Sequence, residues 1–288
     1  PMTLTTRLAR RPALVAPGVY DALTAAIATE AGAECLYLSG AGIAYTKLGR
    51  PDIGLVSMSE VADTIALVRD RVDTPLVVDA DTGYGNALNT QRTVTTFERA
   101  GASAIQLEDQ TFPKRCGHLA EKRVIPKAEM VGKIKAAVDA RRQVGTLIVG
   151  RTDAVAVEGM EPAIERAHAY AEAGADILFV EAPGSIDQLG MIGRALAGVR
   201  PLLANMVEGG RTPIRDAAEL EGLGFSLVIF PGGIVRALAR TAADFYAALV
   251  RDGTTASFRD RMHDFDGLNG VIGTAGMLAR GKAYEGGQ

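Results

Sequence analysis

Four segments of this chain share one pattern, in which a helical stretch stops at a glycine and a short apolar run follows at once. The glycines are Gly32, Gly101, Gly174 and Gly224. Glycine ends helices because it adopts the left-handed backbone conformation without steric cost. The apolar runs are unbroken rather than alternating, which is typical of parallel strands buried on both faces. The pattern therefore predicts repeated helix–strand units whose strands form a parallel sheet.

Four further apolar runs lie between these segments, at residues 13–16, 75–78, 146–149 and 201–204. Eight strands that alternate with helices predict a closed (β/α)8 barrel of the TIM type, for which 288 residues is an ordinary length. An open doubly wound sheet is the alternative. Such a sheet carries a glycine-rich phosphate loop after its first strand, and residues 16–20 (Ala-Pro-Gly-Val-Tyr) do not form one.

We expect a single domain over residues 1–288, with a C-terminal extension at about residues 255–288 that is helical at first and ends in a glycine-rich tail at residues 266–288. The extension exceeds what a barrel requires, so we expect it to contact a neighbouring subunit of a homo-oligomer. Two connections, at residues 40–57 and 110–127, are unusually long. Long loops after barrel strands are where lids and active sites are built.

Charge and cysteine usage limit the partners and the compartment. Lys plus Arg number 31 and Asp plus Glu 34, and a net charge of −3 gives no electrostatic reason to expect nucleic acid or an anionic membrane. No apolar run approaches the roughly 20 residues that span a bilayer, and the first residues are not an apolar signal segment. The two cysteines, Cys35 and Cys116, lie in different contexts, so we expect no disulfide and a cytoplasmic location.

Polar side chains stand where the predicted strands end, and in a barrel they converge on one mouth. Carboxylates packed closely repel one another, and a divalent cation relieves the repulsion; oxygen ligands suit Mg²⁺ or Mn²⁺. The alternative is that these acids cap the helices that follow. The residues at the strand ends are Ser39, Asp79, Asp81, Glu108, Asp109, Arg151, Asp153, Glu181 and Asn205.

The second long loop contains the run Lys114-Arg115-Cys116-Gly117-His118. Cationic neighbours favour the thiolate and are expected to lower the pKa of Cys116, and Gly117 allows a sharp bend. A thiol, two cations and an imidazole on a polar loop indicate a lid that carries a proton donor or base. Zinc binding by Cys116 and His118, or a basic surface loop without function, are the alternatives.

These motifs resemble those of the isocitrate lyase and phosphoenolpyruvate mutase superfamily over about residues 15–246. The resemblance rests on residues 39–42 (Ser-Gly-Ala-Gly), 51–54 (Pro-Asp-Ile-Gly), 79–85 (Asp-Ala-Asp-Thr-Gly-Tyr-Gly), 108–110 (Glu-Asp-Gln), 114–118 and 151–154 (Arg-Thr-Asp-Ala). The Lys-Arg-Cys-Gly-His run is similar to the lyase branch, which includes 2-methylisocitrate lyase, 2,3-dimethylmalate lyase and the petal death protein. Carboxyphosphonoenolpyruvate mutase keeps this loop too.

The resemblance implies a barrel with a swapped C-terminal helix, a dimer of dimers and bound Mg²⁺. The metal ligands that it implies are Asp79, Asp81 and Glu108, with Asp52 close by. Cys116 becomes the catalytic acid, and the other catalytic groups are Lys114, Arg115, His118, Arg151 and Glu181. The implied substrate-binding residues are Tyr37, Ser39, Gly40, Ala41, Asp52, Gly117 and Asn205.

The expected reaction is cleavage of the C2–C3 bond of a small 2-hydroxy carboxylic acid, such as 2-methylisocitrate, dimethylmalate or citramalate, to a 2-keto acid and a carboxylate. Leu119 stands where 2-methylisocitrate lyases usually have a polar or basic residue, which argues against a tricarboxylate substrate. The base that takes the hydroxyl proton is left open. The alternatives are a phosphonomutase, an oxaloacetate hydrolase or decarboxylase, and a barrel that serves only as a scaffold.

Overall fold

The computed structural model describes residues 3–118 and 121–285, and it confirms the closed eight-stranded barrel. Leu119 lies outside the described residues. All strands are parallel, each pairs with its neighbour along the chain, and β1 closes the barrel on β8. The strands are β1 (Leu14–Val19), β2 (Leu36–Leu38), β3 (Leu76–Asp79), β4 (Ala104–Glu108), β5 (Leu147–Thr152), β6 (Ile177–Val180), β7 (Leu202–Asn205) and β8 (Leu227–Phe230).

Helices alternate with the strands as the sequence predicts. They are α1 (Leu4–Leu8), α2 (Ala22–Glu30), α3 (Gly40–Ile43), α4 (Met58–Arg71), α5 (Ala87–Ala100), α6 (Lys127–Ala140), α7 (Met160–Glu172), α8 (Ile186–Leu196), α9 (Ala217–Gly222), α10 (Gly233–Asp252), α11 (Phe265–Ile272) and α12 (Thr274–Tyr284). A π-helical turn covers Ala44–Leu48, and 3₁₀ turns cover Ala154–Ala156 and Ala256–Arg261.

Two segments are more helical than their glycine content indicates. The loop at residues 40–57 begins with α3, because the Ser39 hydroxyl accepts a hydrogen bond from the Gly42 amide and caps the helix. The expected glycine-rich tail contains α11 and α12. Asp264 caps α11 in the same way, and Gly273 separates the two helices with a left-handed backbone (φ 76°).

The interior of the barrel is built in layers, because side chains two residues apart on a strand point to the same face. On four strands an apolar interior residue is followed two positions later by a polar one: Val77 by Asp79, Val149 by Arg151, Phe179 by Glu181, and Leu203 by Asn205. The Arg151 guanidinium stands 5.1 Å from the centroid of the Phe179 ring, so the polar layer rests directly on the apolar one.

The apolar layer includes Leu4 and Leu8 of α1, which pack with Leu14 and the other interior residues at the strand starts. The outward faces of the strands pack against the surrounding helices in a second, larger core. The polar layer therefore lies towards the opposite end, where the strands finish. This is the end at which barrel enzymes hold their sites.

The chain forms two compact units, Pro1–Ile234 and Val235–Gln288. The first contains the barrel. The second contains most of α10 with α11 and α12, and within it Asp244 lies 3.4 Å from the guanidinium of Arg240 and 3.8 Å from that of Arg261. The single domain over residues 1–288 stays a prediction. No helix in the described part of the chain is both long and apolar enough to cross a membrane.

Candidate active site

Three predicted metal ligands meet at the barrel mouth. Asp79 is the last residue of β3, and the Asp81 amide donates to Asp79 Oδ1 at 3.1 Å. Asp81 lies beyond the strand in a left-handed turn (φ 47°), so a turn and not strand alternation directs its side chain. Glu108 ends β4, and its amide donates to the Asp81 carbonyl. All three carboxylates are buried.

Gly40 lies directly against this group of acids. A Cβ atom at Gly40 would stand 3.3 Å from Asp79 Oδ2 and 3.5 Å from Asp81 Oδ1. The glycine therefore keeps the space beside the two carboxylates open. The structure thus brings Gly40, a predicted substrate-binding residue, together with the predicted metal ligands.

Burial makes Asp81 and Glu108 difficult to ionise. It raises the pKa of Asp81 to about 7, although the Lys114 charge opposes the rise. Burial also raises the pKa of Glu108 well above its usual range, against the charge of Arg151. Neither carboxylate oxygen of Glu108 makes a hydrogen bond within the described chain. Such a site gains from an added positive charge.

The residues present fit a hard divalent cation. Among residues 3–118 and 121–285, no three acidic, histidine or cysteine side chains already form a metal-binding group. The donor set is nevertheless made of buried carboxylates beside an open glycine, and the Glu108 oxygens accept no hydrogen bond. Mg²⁺ and Mn²⁺ prefer such oxygen ligands. Asp79, Asp81 and Glu108 are the side chains that would hold the ion.

Lys114 reaches into the mouth from the long loop. Its ammonium lies 2.5 Å from Asp52 Oδ1 and 2.8 Å from Asp81 Oδ1, and the side chain is buried. Burial lowers the pKa of Lys114, but the carboxylates of Asp81 and Asp52 outweigh it and hold the pKa well above its usual range. Lys114 is therefore a fixed cation. Asp52 contacts the loop a second time, because its carbonyl accepts from the Cys116 amide at 3.2 Å.

The Cys116 thiol has a raised pKa, whereas the sequence led us to expect a lowered one. The main cause is burial; the amide of His118 and the charge of Arg151 oppose it, and the charges of Asp52 and Glu181 add to it. The expectation was wrong because it left out the burial of the thiol, and because the flanking cations are paired with acids, Lys114 with Asp52 and Arg115 with Glu121. At neutral pH the thiol therefore keeps its proton, which suits a proton donor.

Gly117 packs flat against the barrel. A Cβ atom there would stand 2.6 Å from Arg151 Nη2 and 2.6 Å from Glu181 Cγ, so no other residue fits this position without movement. Arg151 in turn lies 3.2 Å from Glu108 Oε2 and 3.4 Å from Glu181 Oε2. Asn205 Nδ2 donates to Glu181 Oε2 at 3.0 Å. The loop, the residues expected to position substrate and the acids therefore lie together at the barrel mouth.

His118 joins the loop to the segment that follows β7. Its Nδ1 accepts a hydrogen bond from the Arg211 amide at 3.0 Å, and its Nε2 lies 3.4 Å from Glu181 Oε1. Burial lowers the pKa of His118, although the charge of Glu181 opposes this. In the neutral ring the Nδ1 acceptor places the proton on Nε2, facing Glu181. Nδ1 is therefore engaged as an acceptor, whereas Nε2 is buried and makes no hydrogen bond within the described residues.

Four predicted site residues have other surroundings. Tyr37 is 2% exposed in the apolar layer, and its hydroxyl donates to Gln106, whose amide donates to Asp79 Oδ1 at 3.2 Å. Tyr37 is thus connected to Asp79 through the side chain of Gln106. The Arg115 side chain is 45% exposed and pairs with Glu121, which favours a structural role. Ser39 caps α3 with its hydroxyl, and Ala41 lies within that helix.

The sequence placed Asp109 among the strand-end acids, but it did not predict that Asp109 and Lys122 hold Asp153. Asp109 lies under the site: its Oδ1 accepts from the Asp153 amide at 2.8 Å, and its Oδ2 accepts from the hydroxyls of Thr152 and Tyr170, each at 2.7 Å. Lys122 was not among the predicted site residues, and its ammonium donates to Asp153 Oδ1 at 2.7 Å. Lys122 stands in the charged run Glu-Lys-Arg, and no periodicity there indicates which residue is buried.

Known proteins share both this sequence and this architecture. Residues 4–250 match the family model of phosphoenolpyruvate phosphomutase. The chain is 43% identical to 2,3-dimethylmalate lyase of Eubacterium barkeri, over 92% of this chain and 91% of that protein. It is 45% identical to 2-methylisocitrate lyase of Aeropyrum pernix, over 92% of this chain and 84% of that protein.

Solved structures extend the likeness to the whole fold. Oxaloacetate acetylhydrolase, in complex with the inhibitor 3,3-difluorooxalacetate, matches with a TM-score of 0.93 at 33% identity, over 99% of this chain and 97% of that one. Phosphonopyruvate hydrolase, in complex with oxalate and Mg²⁺, matches with a TM-score of 0.87 at 28% identity, over 98% and 97%. The chain therefore belongs to the phosphoenolpyruvate phosphomutase family and is a lyase of the isocitrate lyase/PEP mutase superfamily.

Proposed function

We propose that this enzyme cleaves the C2–C3 bond of a small 2-hydroxy carboxylic acid of the 2,3-dimethylmalate or 2-methylisocitrate type, with Mg²⁺ or Mn²⁺ as cofactor. The relatives named for these two substrates support the reaction class. The buried carboxylates of Asp79, Asp81 and Glu108 support the cofactor.

One observation carries the proposal: a half-buried thiol, whose pKa is raised by that burial, lies at the mouth of a charged barrel. Gly117 packs against Arg151 and Glu181, which fixes the adjacent Cys116 within reach of the fields of Asp52, Glu181 and Arg151. A reaction that leaves a carbanion needs a proton donor at this place. Arg151 offers a guanidinium that a substrate carboxylate can bind in two contacts.

The proposed reaction breaks one carbon–carbon bond and transfers two protons. A base accepts the hydroxyl proton at C2, the oxygen forms a carbonyl, and the C2–C3 bond breaks. The electron pair of that bond goes to C3, where the neighbouring carboxylate delocalises it. Cys116 Sγ–H then donates its proton to C3, and a 2-keto acid and a carboxylate result. A bound divalent cation supplies charge stabilisation for the oxygen at C2.

A substrate panel tests the proposal. The purified enzyme, with Mg²⁺, is incubated with 2,3-dimethylmalate, 2-methylisocitrate and citramalate, and the released 2-keto acid is measured. We expect turnover of at least one compound and a kcat about 10²–10⁴-fold lower for Cys116→Ser, with little change in KM. Cys35→Ala is the matched control, since Cys35 is buried in the apolar layer and is expected to retain activity. No 2-keto acid from any compound would contradict the proposal.

Hydrolysis of oxaloacetate is the second candidate, and the TM-score of 0.93 to oxaloacetate acetylhydrolase favours it. Hydrolysis needs a water molecule as nucleophile at the carbonyl carbon and gives oxalate and acetate. The same panel separates the two candidates when oxaloacetate is included. Oxalate formation that exceeds the turnover of every 2-hydroxy acid would replace the first candidate by the second.

A further inference from the structure

Lys122 is a buried cation that the proposed chemistry does not use directly. Its ammonium donates to the Gly117 carbonyl at 2.5 Å and to Asp153 Oδ1 at 2.7 Å, and its side chain is 1% exposed. A buried lysine is costly unless it is paired and hydrogen-bonded. Here one partner is the backbone of the Cys-Gly-His segment, and the other is fixed in the barrel.

Asp153 is well suited to anchor such a contact. Its Oδ2 accepts from Arg151 Nε at 2.9 Å, and its amide donates to the buried Asp109 at 2.8 Å. Burial raises the pKa of Asp153, but the charges of Arg151 and Lys122 outweigh it and hold the pKa at about 2. The Asp153 carboxylate is therefore ionised at neutral pH, and the hydrogen bond from its amide to Asp109 holds its backbone in place.

Lys122 holds the backbone of Gly117, whereas His118 is held through its side chain by Arg211 and lies near Glu181. Lys114 and Gln110 hold the part before Cys116, through Asp52 and through the Arg115 backbone. The Gly117 carbonyl lies on the far side of Cys116 and is held by Lys122. A contact before the thiol and a contact after it together fix its direction.

We propose that Lys122 is a positioning residue, which aims the Cys116 thiol by clamping the Gly117 carbonyl to Asp153. The proposal rests on the proposed function, in which Cys116 is the proton donor. Asp153 accepts hydrogen bonds from both Arg151 and Lys122. It therefore connects the guanidinium that is proposed to bind substrate to the loop segment that carries the Cys116 thiol. Misplacement of a reacting group by about 1 Å can cost about 10²-fold in rate.

The test replaces Lys122 by methionine, which keeps the length of the side chain and removes its charge and donors. Lys127→Met is the matched control, because Lys127 pairs with Glu165 at the surface, where its side chain is 41% exposed. We expect Lys122→Met to lower kcat about 10²-fold and Lys127→Met to match the unaltered enzyme. Lys122→Arg, which restores charge and donors, should recover a large part of the loss.

A second readout needs neither substrate nor activity. The rate at which iodoacetamide modifies Cys116 is measured by mass spectrometry at a temperature well below the melting transition. We expect this rate to rise severalfold in Lys122→Met and to return towards normal in Lys122→Arg. The buried Cys35 is the internal reference, and its continued lack of modification shows that the barrel remains folded.

An unchanged rate of Cys116 modification in folded Lys122→Met would overturn the inference. If Lys122→Met does not fold, Lys122→Gln, which keeps a shorter donor, takes its place under the same criterion. Failure of the proposed function is distinguishable, because the unaltered enzyme would then cleave no 2-hydroxy acid while the alkylation rates still decide whether Lys122 holds the segment.

Discussion

At the scale of single residues, the protonation of Cys116 decides what its thiol can do. Burial raises the thiol pKa, so the group is a proton donor at rest and not a nucleophile. A donor works only while it is protonated, and its contribution is lost as the pH rises through its pKa. Because the pKa is raised, that loss comes at higher pH than for an ordinary cysteine.

We therefore expect kcat to be level through neutral pH and to fall only above about 8.5, the ordinary cysteine value. A kcat–pH profile of the enzyme with saturating substrate and metal measures this. The Cys116→Ser variant is the control, and its residual rate should lack this alkaline limb. A fall in kcat that begins below about pH 8.5, as a thiolate activated by nearby cations would give, would contradict the assignment of Cys116 as the proton donor.

The positions of the candidate site residues were easier to predict from the sequence than their protonation states. Asp79, Arg151 and Glu181 follow apolar strand runs, and the alternation of strand side chains is enough to direct them into the barrel. The raised pKa of Cys116 could not be predicted, because it depends mainly on the burial of the thiol, while Lys114 and Arg115 are neutralised by acidic partners. Those partners, Asp52 and Glu121, are a matter of tertiary contact and of loop conformation.

At the scale of elements, the loop at residues 110–127 is held by specific contacts. Gln110 Nε2 donates to the Arg115 carbonyl at 2.8 Å, and the Arg115 amide donates to Gln110 Oε1 at 3.0 Å. A protease needs the backbone around its cleavage site to be free. The exposed Arg115 should therefore be protected by Gln110 despite the exposure of its side chain.

We expect Gln110→Ala to accelerate cleavage by trypsin after Arg115 severalfold, since local opening becomes easier. Mass spectrometry of the fragments gives the rate at this bond. Gln143→Ala is the control, because the Gln143 side chain is exposed. A substrate analogue with Mg²⁺ should slow cleavage in the unaltered enzyme. If trypsin cleaves after Arg115 at the same rate in both variants and in the unaltered enzyme with and without ligand, the contacts of Gln110 do not hold the loop.

The strands were predictable because each is a short, mainly apolar run between turn signals; the run at residues 201–204, for example, becomes β7 with a displacement of one residue (Leu202–Asn205). The helical character of residues 265–284 was not. The segment is rich in glycine, which costs roughly 1 kcal/mol per residue relative to alanine within a helix. The Asp264 cap and the left-handed Gly273 decide its structure, and neither gives a periodic signal.

At the scale of the whole molecule, the cluster of acids at the mouth should make stability depend on metal. A ligand that binds only the folded state stabilises it by mass action. We expect millimolar Mg²⁺ to raise the melting temperature of the chelated enzyme and to restore its activity. Glu108→Gln should weaken both effects, whereas Glu165→Gln, at the exposed surface, should not. Full activity after exhaustive chelation would contradict the metal assignment.

The C-terminal unit predicts self-association. No residue of α11 or α12 is buried, and large apolar side chains are exposed there, among them Phe265 (83%), Leu278 (63%) and Tyr284 (82%). Exposed apolar surface of this kind marks an interaction site. We propose a homo-oligomer, a tetramer, in which these helices contact a neighbour. Sedimentation at micromolar concentration should show it, with Phe265→Glu weakening the assembly and Val144→Glu, also exposed, leaving it intact. A monomer would contradict the proposal.

The most direct test of carbon–carbon cleavage is NMR of the reaction in deuterated buffer with Mg²⁺. We expect a 2-hydroxy acid of the dimethylmalate or methylisocitrate type to disappear while a 2-keto acid and a carboxylate form in equal amounts. The carboxylate should carry one deuterium at the former C3, because the exchanged Cys116 thiol delivers it. Turnover of oxaloacetate or phosphonopyruvate alone, with every 2-hydroxy acid left intact, would contradict the account.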